Sequence, residues 1–199
     1  TFFIKLPLKT ILLISVILFS CSNGDKKYHI DETTSPTDTL TYLKLDMTPL
    51  NGMVYCKFGD NGLYINGKRD GEHKFWYDNG QLSDLGNYDN GIFVNCKSWF
   101  ENGNQSLENI PIKDSLYTVK IWFENGQLKN RYTKKGWKKE GEFREWFEDG
   151  TLRLISNFKN HLNDGERKQY IKNKDGSLTL SISNYKDGEE IGETIWEDL

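Results

Sequence analysis

Trp122-Phe123-Glu124-Asn125-Gly126-Gln127-Leu128 decides the fold, because the chain writes this phrase four times. It stands as Trp76-Tyr77-Asp78-Asn79-Gly80-Gln81-Leu82, again from Trp99 to Gln105, and again as Trp146-Phe147-Glu148-Asp149-Gly150-Thr151-Leu152. The leading aromatics are 23, 23 and 24 residues apart. Self-similarity at a fixed period marks a repeat architecture. A weaker copy starts at Tyr170, with two extra residues before Asp175-Gly176. A fragment begins at Trp196, and a degenerate copy, Phe58-Gly59-Asp60-Asn61-Gly62-Leu63-Tyr64, precedes the four.

Asn-Gly and Asp-Gly supply the positive φ angles of a type I′ turn, and between alternating runs they are a hairpin signal. Gly80, Gly103, Gly126, Gly150 and Gly176 are therefore the expected repeat turns. Alternation follows each turn, as in Leu152, Leu154, Ser156 and Phe158, or Leu178, Leu180 and Ile182. A second set of turn residues comes next: Asn90-Gly91, Lys135-Gly136, Asn160 and Asp187-Gly188. The expectation is an all-β chain: an extended antiparallel β-meander of repeated hairpins, period 23–24, in a single twisted sheet over residues 49–199. One hairpin is not stable alone, so stacking from repeat to repeat must supply the buried surface.

Composition agrees. Aromatics make up 14% of the 199 residues, with 18 Gly and four Pro, which favours short strands and many turns. The net charge of -3 offers no basic stripe for nucleic acid.

The N-terminus reads as a separate region. Lys5 and Lys9 precede an apolar run from Ile11 to Phe19 that is too short to span a bilayer and suits a secretory leader. Leu18-Phe19-Ser20-Cys21 resembles the bacterial lipoprotein signal. That resemblance implies cleavage after residue 20, lipid on Cys21 and a membrane anchor; an ordinary cleaved leader with a chance Cys is the other reading. Ser22 in place of Asp points to an outer-membrane lipoprotein of the cell envelope, with the periplasmic and surface faces both open. Residues 21–48, rich in Thr, Ser and Asp, read as a lipidated Cys and flexible tether.

The phrase at Trp76, Trp99, Trp122 and Trp146 resembles the MORN-repeat variant family over roughly 58–199. The resemblance implies a scaffold or binder of proteins or lipids, or the antitoxin component of a toxin–antitoxin pair, and it transfers no catalytic residue.

No catalytic set converges in the sequence. His29, His73 and His161 lack metal-ligand spacing and read as exposed strand or loop residues. Cys56 and Cys96 fall about four strands apart, roughly 19 Å at ~4.8 Å per strand, too far for a disulfide; both are expected as free, partly buried thiols. The acids of the phrase are accounted for by turn chemistry, so no metal and no cofactor are expected. The aromatics remain. Trp76, Trp99, Trp122 and Trp146 form one row, and Tyr77, Phe100, Phe123 and Phe147 the other. Either one row is an exposed binding face, or both are covered by side chains such as Lys74, Lys120 and Arg144. The expected function is a lipid-anchored, non-enzymatic module that binds a protein or a glycan. The alternative is an antitoxin or immunity-type protein that neutralises a toxin.

Overall fold

The structure is a computed structural model and describes residues 26–37 and 39–199. The elements are β1 (Lys27–His29), a 3-10 turn (Ile30–Glu32), β2 (Thr33–Thr34), β3 (Tyr42–Leu43), β4 (Gly52–Cys56), β5 (Gly59–Ile65), β6 (Lys68–Trp76), β7 (Leu82–Asp89), β8 (Ile92–Trp99), β9 (Gln105–Lys113), β10 (Leu116–Trp122), β11 (Leu128–Lys135), β12 (Lys138–Trp146), β13 (Leu152–Lys159), β14 (Leu162–Lys172), β15 (Leu178–Lys186) and β16 (Glu189–Asp198). From β4 to β16 each strand pairs with the next, and β1 joins beside β4, giving one open sheet of 14 strands. Among the described residues only the β1–β4 pairing is parallel.

Two kinds of turn alternate along the meander. The repeated phrase forms a three-residue loop. The N–H of Gly80 donates to the Tyr77 carbonyl at 3.0 Å, and the N–H of Tyr77 to the Gln81 carbonyl at 2.9 Å. Only the glycine has positive φ: +89° at Gly80, +86° at Gly103, +87° at Gly126, +84° at Gly150 and +89° at Gly176. This corrects the expected type I′ geometry: it is a type I turn closed by a left-handed glycine. Asn79 is needed for its side chain, whose Oδ1 accepts the Gln81 N–H at 2.8 Å. The type I′ pattern belongs to the opposite edge, at Asn66-Gly67, Asn90-Gly91, Asp114-Ser115, Asn160-His161 and Asp187-Gly188, where both central residues have positive φ.

Bulges set the register. A single extra residue recurs after each three-residue turn, at Ser83, Ser106, Lys129 and Arg153, opposite the strand-ending Trp. A larger irregularity accompanies Gly71 and Gly141, which have φ of +74° and +75° inside their strands. Asp70-Gly71-Glu72 and Glu140-Gly141-Glu142 form these bulges. Two other readings change. Asn61-Gly62 lies within β5 and makes no turn, so the copy at Phe58 is not a repeat. In the β14–β15 hairpin Lys172, not Tyr170, pairs as Trp146 does: Lys172 faces Leu178 as Trp146 faces Leu152.

The segment expected as a tether is folded from residue 27. Leu50 is fully buried and packs with Val54, Tyr64, Tyr28 and Leu43. The Thr41 N–H donates to the Gly67 carbonyl and the Gly67 N–H to the Leu50 carbonyl, both at 2.8 Å. Residues 27–37 and 39–50 therefore cap the first hairpin and cover its edge, as the terminal unit of a repeat stack must. Period arguments fail on strands of two or three residues, so the sequence concealed this cap.

The two faces of the sheet differ. One carries ring clusters, Tyr64–His73–Tyr88–Phe93 and Tyr132–Phe143–Phe158, with centroids 4.9 to 5.9 Å apart. The other repeats a same-strand ion pair: Glu72–Lys74 at 2.7 Å, Glu142–Arg144 at 2.7 Å and Glu166–Lys168 at 2.8 Å.

Candidate functional site

The strand ends carry the residues singled out from the sequence. Trp76, Trp99, Trp122 and Trp146 close β6, β8, β10 and β12 and are all half-buried. Tyr77 Oη donates to the Trp99 carbonyl at 2.8 Å, tying one repeat to the next. Lys74, Lys120 and Arg144 do not lie on these rings; they pair with Glu72, Glu108 and Glu142. Other cations cover the second row: Lys129 sits 5.3 Å from the Phe123 centroid and Lys172 4.5 Å from that of Phe147. Cys21 lies outside the described residues.

The turn asparagines form a ladder. Asn102 Nδ2 donates to the Glu124 carbonyl at 3.1 Å and Asn125 Nδ2 to that of Glu148 at 2.8 Å, one repeat on. At Asp149 the donor is lost. Lys172 of the following hairpin contacts its carboxylate instead and holds it well below the usual carboxylate range.

His73 was expected to be exposed and is fully buried. Its ring lies between Tyr64 and Tyr88, Nε2 is 2.8 Å from the Leu63 carbonyl, and Nδ1 has no partner. Burial pushes its pKa down to about 4, against ordinary 6.5. Gly62 makes room, since a Cβ there would meet the His73 ring at 2.4 Å. The same position in β12 holds Phe143, beneath Lys139, whose Nζ is 4.2 Å from the ring; burial lowers the Lys139 pKa. Cys56 and Cys96 are free and half-buried, and burial raises the Cys96 thiol. Among the described residues no group of three or more His, Cys, Asp or Glu could hold a metal ion.

Three surface features remain, none of them evident from the repeat phrase. The edge of two-residue turns exposes Trp137 (75%) and Ile92 (71%), together with Ile112 and Leu162. Lys113, Lys134, Lys135, Lys138 and Lys159 stand at the strand ends around Trp137, with Asp114, Glu140 and, beside Lys159, Asp164 as nearby acids; Lys139 lies over the sheet-face rings of Tyr132, Phe143 and Phe158. Glu140 is already engaged by the Asn160 N–H at 2.9 Å. The three-residue edge is acidic instead, at Asp78, Glu101, Glu124 and Glu148. Second, a cavity of about 590 Å³ lies beneath the cap, where Ser35 and Thr41 bond each other at 2.8 Å and Arg69 Nη1 donates to Tyr88 Oη at 3.0 Å. Third, a more apolar cavity of about 360 Å³ is lined by His29, Ile30, Asp31, Cys56, Lys57, Phe58, Asn61, Phe75 and Trp76.

The family model for the MORN repeat variant matches residues 69–90 and 139–160. Two hairpins of this chain are thus similar to that repeat: β6–β7 and β12–β13. Both contain the bulge glycine, Gly71 or Gly141; the hairpins between them, β8–β9 and β10–β11, share the Trp phrase but have no such glycine. MORN repeats are often involved in binding membranes or proteins and are generally non-enzymatic. No curated protein matches the chain.

Proposed function

We propose that the chain is a non-catalytic binding module of the bacterial cell envelope. Lipid on Cys21 anchors it, and it lies with its two-residue-turn edge on the membrane, holding a protein or glycan partner away from the bilayer. The observation that carries this reading is the position of that edge relative to the chain's entry. Lys26 accepts at its carbonyl from Met53 N–H at 2.8 Å, beside Gly52, which pairs with Tyr64 just before the Asn66-Gly67 turn. The polypeptide leading from Cys21 thus enters at the edge that also displays Trp137 and its lysines.

Physical chemistry supports this orientation. An exposed indole among lysines suits the headgroup layer, where the ring has an apolar body and a polar N–H. Each lysine near an anionic leaflet contributes about 1 kcal/mol, falling off within a Debye length. The acidic three-residue edge is repelled by the same surface. The row is mixed at its far end, at Asp187, Glu189 and Glu190, so contact centres on Trp137.

Residues 22–199, which hold every described strand, should co-sediment with phosphatidylglycerol-containing vesicles and not with phosphatidylcholine vesicles. Trp137→Ala should weaken that binding by about tenfold. Equal binding to both vesicle types, or none to either, would overturn the edge-on reading.

A further inference from the structure

The 590 Å³ cavity beneath the cap gathers positive charge. Tyr64 and Arg69 pair across β5 and β6, and both line the cavity with Tyr88 of β7. The Arg69 guanidinium lies 5.2 Å from the Tyr88 centroid and 5.3 Å from that of Phe75. Its Nη1 donates to Tyr88 Oη at 3.0 Å. Lys68 lines the same space. Arg69 and Lys68 are half-buried, not sealed, so both cations reach the cavity. Neither takes part in an ion pair among the described residues, and the described lining holds no carboxylate. A cation partly stripped of water and left without an anion costs free energy.

Two other places in the same sheet supply the missing acid. In the second hairpin matched by the family model, Lys138 and Asn160 stand where Lys68 and Asn90 do, and the hollow there is lined by Glu140 as well. The counterpart of Glu140 is Asp70, one methylene shorter. Asp70 takes the Asn90 N–H at 3.1 Å and does not line the cavity. At the far end of the sheet Arg167 donates to Tyr185 Oη at 3.4 Å, and that phenol donates onward to Glu190 at 3.2 Å. Glu190 faces Tyr185 across the strands, whereas Phe93 faces Tyr88. The arginine–phenol pair beneath the cap therefore stands where an anionic oxygen belongs.

We infer that this cavity binds the phosphate monoester of a small hydroxylated compound, its phosphate held by Arg69, Lys68 and the Tyr88 hydroxyl. Two cations balance a dianion, and a phosphate monoester, with a second pKa of about 6, carries close to two charges at neutral pH. A single carboxylate balances only one of them. The guanidinium fork and the lysine point charge are both suited to phosphate oxygens. Thr39, Thr41 and Asn90 line the remaining wall with hydroxyl and amide groups, which suit a polyol or sugar body. The volume lies within the range of small-molecule sites, about 300–1,000 Å³. This site goes beyond the edge-on reading, which depends on Trp137.

The test titrates residues 22–199 with glucose 6-phosphate, glycerol 3-phosphate, glucuronate and glucose by calorimetry near neutral pH. At least one phosphate ester should bind with a Kd of about 0.1–1 mM, about tenfold tighter than glucuronate, and glucose should not bind. Arg69→Met should weaken the ester by about tenfold or more, the loss of a charge-assisted contact. Should Arg69→Met fail to fold, Lys68→Met decides, with a loss of about tenfold expected. No binding by either ester, glucose or glucuronate bound as tightly, or binding unchanged in Lys68→Met and in folded Arg69→Met, overturns the site. Asp38 adjoins Thr39 in the sequence and lies outside the described residues. Asp38→Asn should leave the affinity unchanged; a gain of about tenfold would show that the chain supplies its own anion and would overturn the site. Phosphatidylglycerol vesicles, whose phosphate is a diester, should not displace the bound ester. Displacement would give the site to lipid headgroups and overturn the inference.

Discussion

At His73 the sheet places an imidazole where another repeat places the phenyl ring of Phe143, and this sets a pH limit on the fold. The folded pKa of about 4 lies below the ordinary 6.5. Both states are neutral above pH 6.5, so there the group costs nothing. Between 6.5 and about 4 the unfolded chain takes a proton that the folded chain refuses, and stability falls as pH falls. The full loss approaches about 3 kcal/mol. His73→Phe should flatten this part of the pH–stability curve in urea titrations at pH 7.0, 5.5 and 4.5; an unchanged slope would place the acid sensitivity elsewhere. Gly62→Ala should destabilise by about 1–3 kcal/mol, since the added methyl collides with the His73 ring. Neither residue could be read from the sequence. A lone His in a strand pattern is exposed as often as it is buried. Asn61-Gly62 carries the same letters as a turn, yet its glycine is there to receive a ring across strands.

Among the elements, the three-residue turn was legible in position but not in type. Spacing located Gly80, Gly103, Gly126 and Gly150, but the asparagine before each of the first three is used through its side chain, not through positive φ. It bonds its own turn and the next repeat. Asn102→Ala should therefore cost about 1–2 kcal/mol, and Asn102→Asp, which keeps the acceptor and loses the donor to Glu124, about half of that. Equal stabilities by thermal unfolding would show that the ladder is incidental. Gly103→Ala should cost about 1 kcal/mol for its left-handed backbone. The bulge glycines Gly71 and Gly141 were visible as a recurring Asp/Glu-Gly-Glu, but nothing local distinguishes a bulge within a strand from a turn before one. That depends on the neighbouring strand.

The whole molecule is a one-dimensional stack whose N-terminal side is capped by residues 27–50. Deleting 27–48 should uncover the edge of β4 and the Leu50–Val54–Tyr64 cluster. The truncated chain is expected to lose cooperative unfolding in its first hairpins or to associate through β4, seen by hydrogen exchange and light scattering. Hydrogen exchange in β12–β15 should change little, because each repeat contacts only its neighbours. The meander was readable because one phrase recurs. The cap, the charged difference between the long edges and the aromatic cavity were not, since each gathers residues from strands that no period links.

The central claim, that this sheet lies edge-on to an anionic bilayer through the Trp137 tip, is tested most directly by depth-dependent fluorescence quenching. Lipids brominated at different acyl positions quench tryptophans near the headgroup boundary. With residues 22–199 on phosphatidylglycerol vesicles, quenching should come mainly from shallow bromines and should disappear in Trp137→Phe, leaving Trp76, Trp99, Trp122 and Trp146 unquenched. Quenching that persists in Trp137→Phe would show that another face meets the membrane and would contradict the account.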